Sequence, residues 1–156
     1  MKKNNGVLYA AMALCIGSVI WLGFVLMRPA PASVSQFEKP PFEPQVIIPK
    51  SEPDKSEEGW LEAGDVRVHI SEITRDGYRI NIDALNPKDS SIWMKVRICD
   101  EEGVVLGESG VFKSGEQIEE VTLDKHNDSE SYVIEIMGYE PETYHSAGCI
   151  RLNAKL

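Results

Sequence analysis

Positive charge is scarce in this sequence: 16 Lys+Arg stand against 25 Asp+Glu, for a net charge of −9. Nucleic-acid binding needs a basic face to meet phosphates, so no nucleic-acid partner is expected. Histidine is scarcer still. His69, His126 and His145 are the full set, and none lies two or four residues from another. With no H-E-x-x-H and no C-x-x-C, the chain lacks the ligand spacing of a zinc site. The loop 124–130 carries carboxylates but not the central glycine of a calcium-binding EF-hand loop. Val111 stands where the hydrolase pattern G-x-S-x-G, begun at Gly107 and Ser109, needs its last glycine. No metal and no organic cofactor are therefore expected.

What is present is unevenly placed. Residues 7–27 are uncharged, and 18 of these 21 are apolar. At 1.5 Å per residue such a helix is about 32 Å long, close to the thickness of a bilayer core. Lys2 and Lys3 precede the run and Arg28 follows it. A six-residue tail stays inside while a long acidic part is exported, so the expected orientation is N-terminus in and C-terminus out. The competing expectation is secretion after cleavage near Ala32, where Ala30-Pro31-Ala32 matches a signal-peptidase pattern.

Residues 28–59 hold seven of the nine prolines, interspersed with Glu and Lys. Proline fixes φ and removes a backbone donor, so the segment favours extended chain. It reads as a Pro-rich acidic spacer with a reach of up to about 90 Å. The sharper reading is that Phe37, Phe42 or the apolar run Val46-Ile47-Ile48 docks on a partner or adds an edge strand.

From Trp60 onward the hydrophobic period is two. Val66, Val68 and Ile70 alternate with Arg67 and His69. Ile80, Ile82 and Ala84 alternate with Arg79, Asn81 and Asp83, and Met94, Val96 and Ile98 with Trp93, Lys95, Arg97 and Cys99. Turn dipeptides recur at Asp76-Gly77, Asn86-Pro87, Glu102-Gly103, Ser114-Gly115 and Glu140-Pro141. Seven short strands without a helix predict a mainly β fold, a seven-stranded immunoglobulin-like β-sandwich over 60–156 preceded by one transmembrane helix. Leu123, a polar loop and then Tyr132 match a tyrosine corner, in which the hydroxyl bonds back to the loop. In this topology Cys99 ends the third strand and Cys149 opens the seventh, at opposite ends of parallel strands, so no disulfide is expected.

These residues carry a resemblance. Ser109-Gly110, Ser114-Gly115, Ile118, Val121-Thr122-Leu123, Tyr132 and Tyr139-Glu140-Pro141-Glu142-Thr143 resemble a recurring pattern. It occurs in small single-pass membrane proteins of Gram-positive bacteria with one exported immunoglobulin-like domain. The resemblance spans roughly 60–156 and implies a fold and a cell-membrane placement, with no activity to carry over. Ser131 stands where that pattern has Gly before the tyrosine.

A second likeness points elsewhere. Ser146-Ala147-Gly148-Cys149-Ile150-Arg151-Leu152 resembles the nucleophile motif of L,D-transpeptidases. That resemblance implies Cys149 as nucleophile, with Arg151 orienting the site and a histidine, His145 being nearest, as base. A thiol attacks as thiolate and needs such neighbours. Against it, the family's upstream His-Gly pair is missing, with Met137-Gly138 in its place, and the same residues alternate as a last strand. A third reading uses aromatics: Trp93, Tyr139 and Tyr144 as a surface for a protein or glycan. The expected function is a non-enzymatic, membrane-anchored interaction module, an accessory or scaffold subunit of a secretion, pilus or conjugation assembly. Its partners would be membrane lipid through residues 7–27 and an envelope protein. The alternatives are the cysteine transpeptidase and a carbohydrate-binding or adhesive module.

Overall fold

Alternating side chains bury one face of each strand, and a computed structural model of the protein shows how those faces meet. It describes residues 39–125 and 129–156. The tail 1–6, the membrane run 7–27, the cleavage position at Ala32, Phe37 and His126 lie outside the described residues. The described chain contains nine strands and no helix: β1 (Trp60–Ala63), β2 (Val66–Ile70), β3 (Thr74–Asp76), β4 (Arg79–Leu85), β5 (Trp93–Cys99), β6 (Val105–Glu108), β7 (Gln117–Thr122), β8 (Ser131–Tyr139) and β9 (Ser146–Lys155).

They form two antiparallel sheets. In the first, β1 pairs β2, and β2 and β3 run in succession along one edge of β4 while β7 pairs its other edge. In the second the order is β6-β5-β8-β9. The expected count of seven strands is corrected to nine. The additions are β1, four residues long (Trp-Leu-Glu-Ala), and β3, three residues long and polar, and cross-strand pairing rather than hydrophobic alternation defines them. Ser71 to Ile73 separate β2 from β3 opposite a bulge in β4, where Asp83 takes φ 42° and accepts a hydrogen bond from Ser71 Oγ at 3.3 Å. The extra residue bends the strand and re-aims its face.

The core lies between the sheets. Val66, Val68, Ile80, Ile82, Ile118 and Val121 from one meet Met94, Val96, Ile98, Tyr132, Ile134 and Ile136 from the other, all essentially inaccessible to water. Each such side chain contributes roughly 1.5–3 kcal/mol of burial. Tyr132 brings a hydroxyl with it. Arg75 of β3 donates to that hydroxyl and, at 3.2 Å, to the carbonyl of Ser129.

The compact unit begins at Lys39, not at Trp60. Residues 41–47 lie as an extended strap over the side of the sandwich formed by β6 and β7. Pro41 C=O accepts from Val111 N–H and Glu43 N–H donates to Val111 C=O, both at 2.8 Å. Ile47 and Gln117 exchange both backbone bonds at 2.8 Å. The expectation of a spacer is thus corrected for 39–59. Pro40, Pro41, Pro44, Pro49 and Pro53 remove donors only at their own positions, and the bridges use Glu43, Ile47 and a proline carbonyl. Gly110 makes the contact possible, because a Cβ there would collide with the backbone of Phe42 and Glu43.

Candidate functional site

The outer face of the β6-β5-β8-β9 sheet gathers the chemically capable residues. Period-two alternation sends Met94, Val96 and Ile98 inward, so Trp93, Lys95 and Arg97 face out. On β8 the outward set includes Glu135, Met137 and Tyr139, and on β9 Cys149 and Arg151. Register aligns them into rows. Lys95, Met137 and Cys149 form one, and Glu108, Arg97, Glu135 and Arg151 form the next.

That second row is a ladder of alternating charge across four strands. Arg97 Nε reaches Glu108 Oε1 at 2.5 Å and Lys95 Nζ reaches Glu108 Oε2 at 2.6 Å. Arg97 Nη1 lies 3.7 Å from Glu135 Oε2. Arg151 donates to Glu135 Oε1 through Nε at 3.1 Å and through Nη2. Burial would raise the Glu108 carboxyl, but the hydrogen bonds from Lys95 and Arg97 outweigh it and hold the group below the usual carboxylate range.

Cys149 stands two residues from Arg151 on the same face, and its thiol is held above the ordinary thiol range. Burial pushes it up first and the Glu135 carboxylate second, outweighing Arg151. Its Sγ donates to the carbonyl of Ile150 at 3.5 Å. His145 projects into solvent from the β8–β9 loop, with Nδ1 3.7 Å from Glu140 Oε2. Arg151 and Cys149 therefore share a face, while His145 faces a glutamate of its own loop. Cys99 pairs with Val133 and Cys149 with Met137. Four residues of β8 separate those positions, well beyond the roughly 7 Å between Cα atoms that a disulfide spans.

The aromatic candidates come together at the end of the same face. Trp93 meets Tyr144 edge-on at 5.5 Å and Phe42 at 5.1 Å. Lys113 Nζ lies 4.6 Å from the Phe42 ring centre and 6.0 Å from that of Trp93, and Lys39 Nζ lies 5.2 Å from that of Tyr144. Tyr139 is the register partner of Trp93, and its hydroxyl reaches Met137 Sδ at 3.5 Å. Burial raises the Tyr139 phenol above its ordinary range. Tyr144 is buried and takes φ 59°. Phe42, one of the residues of 28–59 expected to be able to dock, packs on Trp93 of the same chain.

A cleft of about 580 Å³ runs beneath the strap, between Glu43–Ile47, the end of β6 and residues Glu119–Thr122. Three of its four carboxylates are engaged: Glu43 accepts from Gly110 N–H at 2.6 Å, Glu108 is held by Lys95 and Arg97, and Glu120 lies 3.4 Å from Arg79, while Glu119 is exposed. Among the described residues no group of three His, Cys, Asp or Glu is placed to hold a metal ion. No protein-family model, curated protein or solved structure matches the chain.

Proposed function

We propose that the protein is a membrane-anchored, extracytoplasmic interaction module, serving as an accessory or scaffold subunit of a cell-envelope assembly of the secretion, pilus or conjugation type. Anchoring rests on the uncharged run 7–27, and export on the long acidic remainder. The domain is read as immunoglobulin-like. Strands β1 to β4 and β7 form one sheet and β5, β6, β8 and β9 the other, and two packed antiparallel sheets are the architecture that fold uses. A buried tyrosine opening β8 fits the same reading. This agrees with the resemblance to exported single-domain proteins of Gram-positive bacteria.

One observation carries the non-enzymatic reading. Arg151, the residue that would serve Cys149, is bound to Glu135, and the same carboxylate raises the thiol. A nucleophilic cysteine needs the opposite surroundings. The face is built as a recognition surface, with a charge ladder beside an aromatic cluster. A carbohydrate-binding reading stands second, on Trp93 flanked by Phe42 and Tyr144. It predicts glycan binding that Trp93→Ala abolishes.

The placement is tested by a membrane-impermeant maleimide on intact cells, with Cys149→Ser as the control. Cys149 is solvent-exposed and Cys99 is buried. Labelling of the wild type but not of the variant is expected. Labelling only after cell lysis contradicts export.

A further inference from the structure

β9 ends its sheet, and its backbone polarity can be read from one bond. Leu156 N–H donates to Glu130 C=O at 2.7 Å, continuing the register that pairs Lys155 with Ser131 and Gly148 with Gly138. In an antiparallel ladder, bonded pairs alternate with pairs whose backbone groups point away. Leu156, Ala154, Leu152 and Ile150 therefore bond toward β8. Cys149, Arg151, Asn153 and Lys155 turn N–H and C=O outward. The same parity holds on β5, where Met94 bonds away from β8 to Phe112, and Val96 C=O accepts from Ser109. All four outward-facing residues of β9 are exposed, and among the described residues no strand pairs with that edge. Ten residues is a long free edge; strands usually run about five to six.

Beside the edge is a crevice of about 390 Å³, walled by the apolar side chains of Leu61 of β1, Ile70 of β2, Ile73 and Leu152, with Ser71, Glu72 and Asn153 also in its lining. It opens between the two sheets on the side opposite the strap. The strap shows what such a seam accepts: an extended segment that bridges Val111 and Gln117 and sets Val46 against the core. Charge narrows the occupant. Residues 146–156 carry Arg151 and Lys155 and no acidic side chain, whereas 60–145 carry 19 acidic residues; Arg151 pairs with Glu135 and Lys155 lies 3.7 Å from Glu130, but both cations stay exposed, at 69% and 79%. A second copy would bring one β9 with Arg151 and Lys155 against another, and acidic domain against acidic domain.

From this we infer that β9 accepts an extended segment of a partner protein by strand addition, with acidic residues over Arg151 and Lys155 alternating with apolar residues turned into the crevice. The inference rests on the interaction-module reading and names the surface it uses.

The test uses full-length protein in detergent micelles and a capped eight-residue peptide of alternating valine and glutamate. A peptide with lysine for glutamate is the control. With the acidic peptide at about ten times its Kd, residue-resolved hydrogen exchange at Cys149, Arg151, Asn153 and Lys155 should slow about tenfold. Exchange at the intervening residues should not change, and the lysine peptide should have no effect. Asn153→Pro removes an outward N–H without breaking the β8 ladder and should abolish the protection. Leu61→Glu, in the crevice wall, gives the same reading should the proline variant not fold. Equal protection by both peptides, or none at millimolar peptide, overturns the inference. So does protection of the free protein that rises with its own concentration, which would make the occupant a second copy. A partner crosslinked to another face of the domain would leave the interaction-module reading standing and remove only this surface.

Discussion

Glu135 and Arg151 stand directly opposite one another on β8 and β9, and two nitrogens of the guanidinium donate to one oxygen of the carboxylate. Glu135 is only 13% exposed and also faces Arg97, whereas Arg151 is 69% exposed. Removing the carboxylate leaves two cations poorly matched, so Glu135→Gln should cost about 1–2 kcal/mol in urea unfolding. Arg151→Gln removes an exposed partner and should cost under about 1 kcal/mol. Equal losses for the two would contradict the ladder as described.

Glu108 gives the ladder a pH dependence. Its folded carboxyl is held below the usual range, so the native state favours the ionised form. That contribution is complete above the ordinary carboxylate range. It is lost as pH falls through the depressed folded value. Denaturant titrations should show stability falling on acidification through this window, with a shallower fall in Glu108→Gln. An identical profile in the variant would remove Glu108 as the cause.

The thiol of Cys149 should titrate above the ordinary thiol range, because burial and Glu135 both raise it. At neutral pH a cysteine-reactive probe should label it more slowly than a free thiol. Glu135→Gln should speed the reaction. A labelling midpoint near neutrality, or turnover of stem peptides lost in Cys149→Ser, would restore the transpeptidase reading.

Gly110 is where the strap meets the sandwich. A methyl group there overlaps the backbone of Glu43, so Gly110→Ala must push the strap away. The expected cost is about 1–3 kcal/mol. Trypsin should then cut faster at Lys50, which follows the bridging residue Ile47. Unchanged cleavage would mean that the strap does not depend on this close approach.

How much of this was legible in the sequence differs by element. β2, β4, β5 and β8 could be read because each buries alternate residues, and one face of a period-two strand is visible without a structure. β3 could not, since Thr74-Arg75-Asp76 offers no apolar face and exists as a strand only because Asn81, Ile80 and Arg79 pair with it. The strap was hidden by its prolines, although Val46-Ile47-Ile48 stood out as the apolar run able to dock. Of the candidate site, Trp93, Tyr139 and Tyr144 were visible as aromatics, but their neighbour Phe42 lies 51 residues before Trp93 and no local pattern joins them. The ladder needed register: Lys95, Arg97, Glu135 and Arg151 are each ordinary outward charges until β8 is aligned with both its neighbours. The same alignment pairs Arg151 with Glu135, a partnership that no local pattern shows.

The role proposed for this domain is to hold another protein at the cell envelope. Crosslinking of the full-length protein in living cells, followed by isolation of membranes and identification of what travels with it, tests this most directly. The expected result is a discrete crosslinked species containing a second envelope protein, lost when the partner is deleted. A protein that remains a lone species under conditions that crosslink known envelope complexes would contradict it.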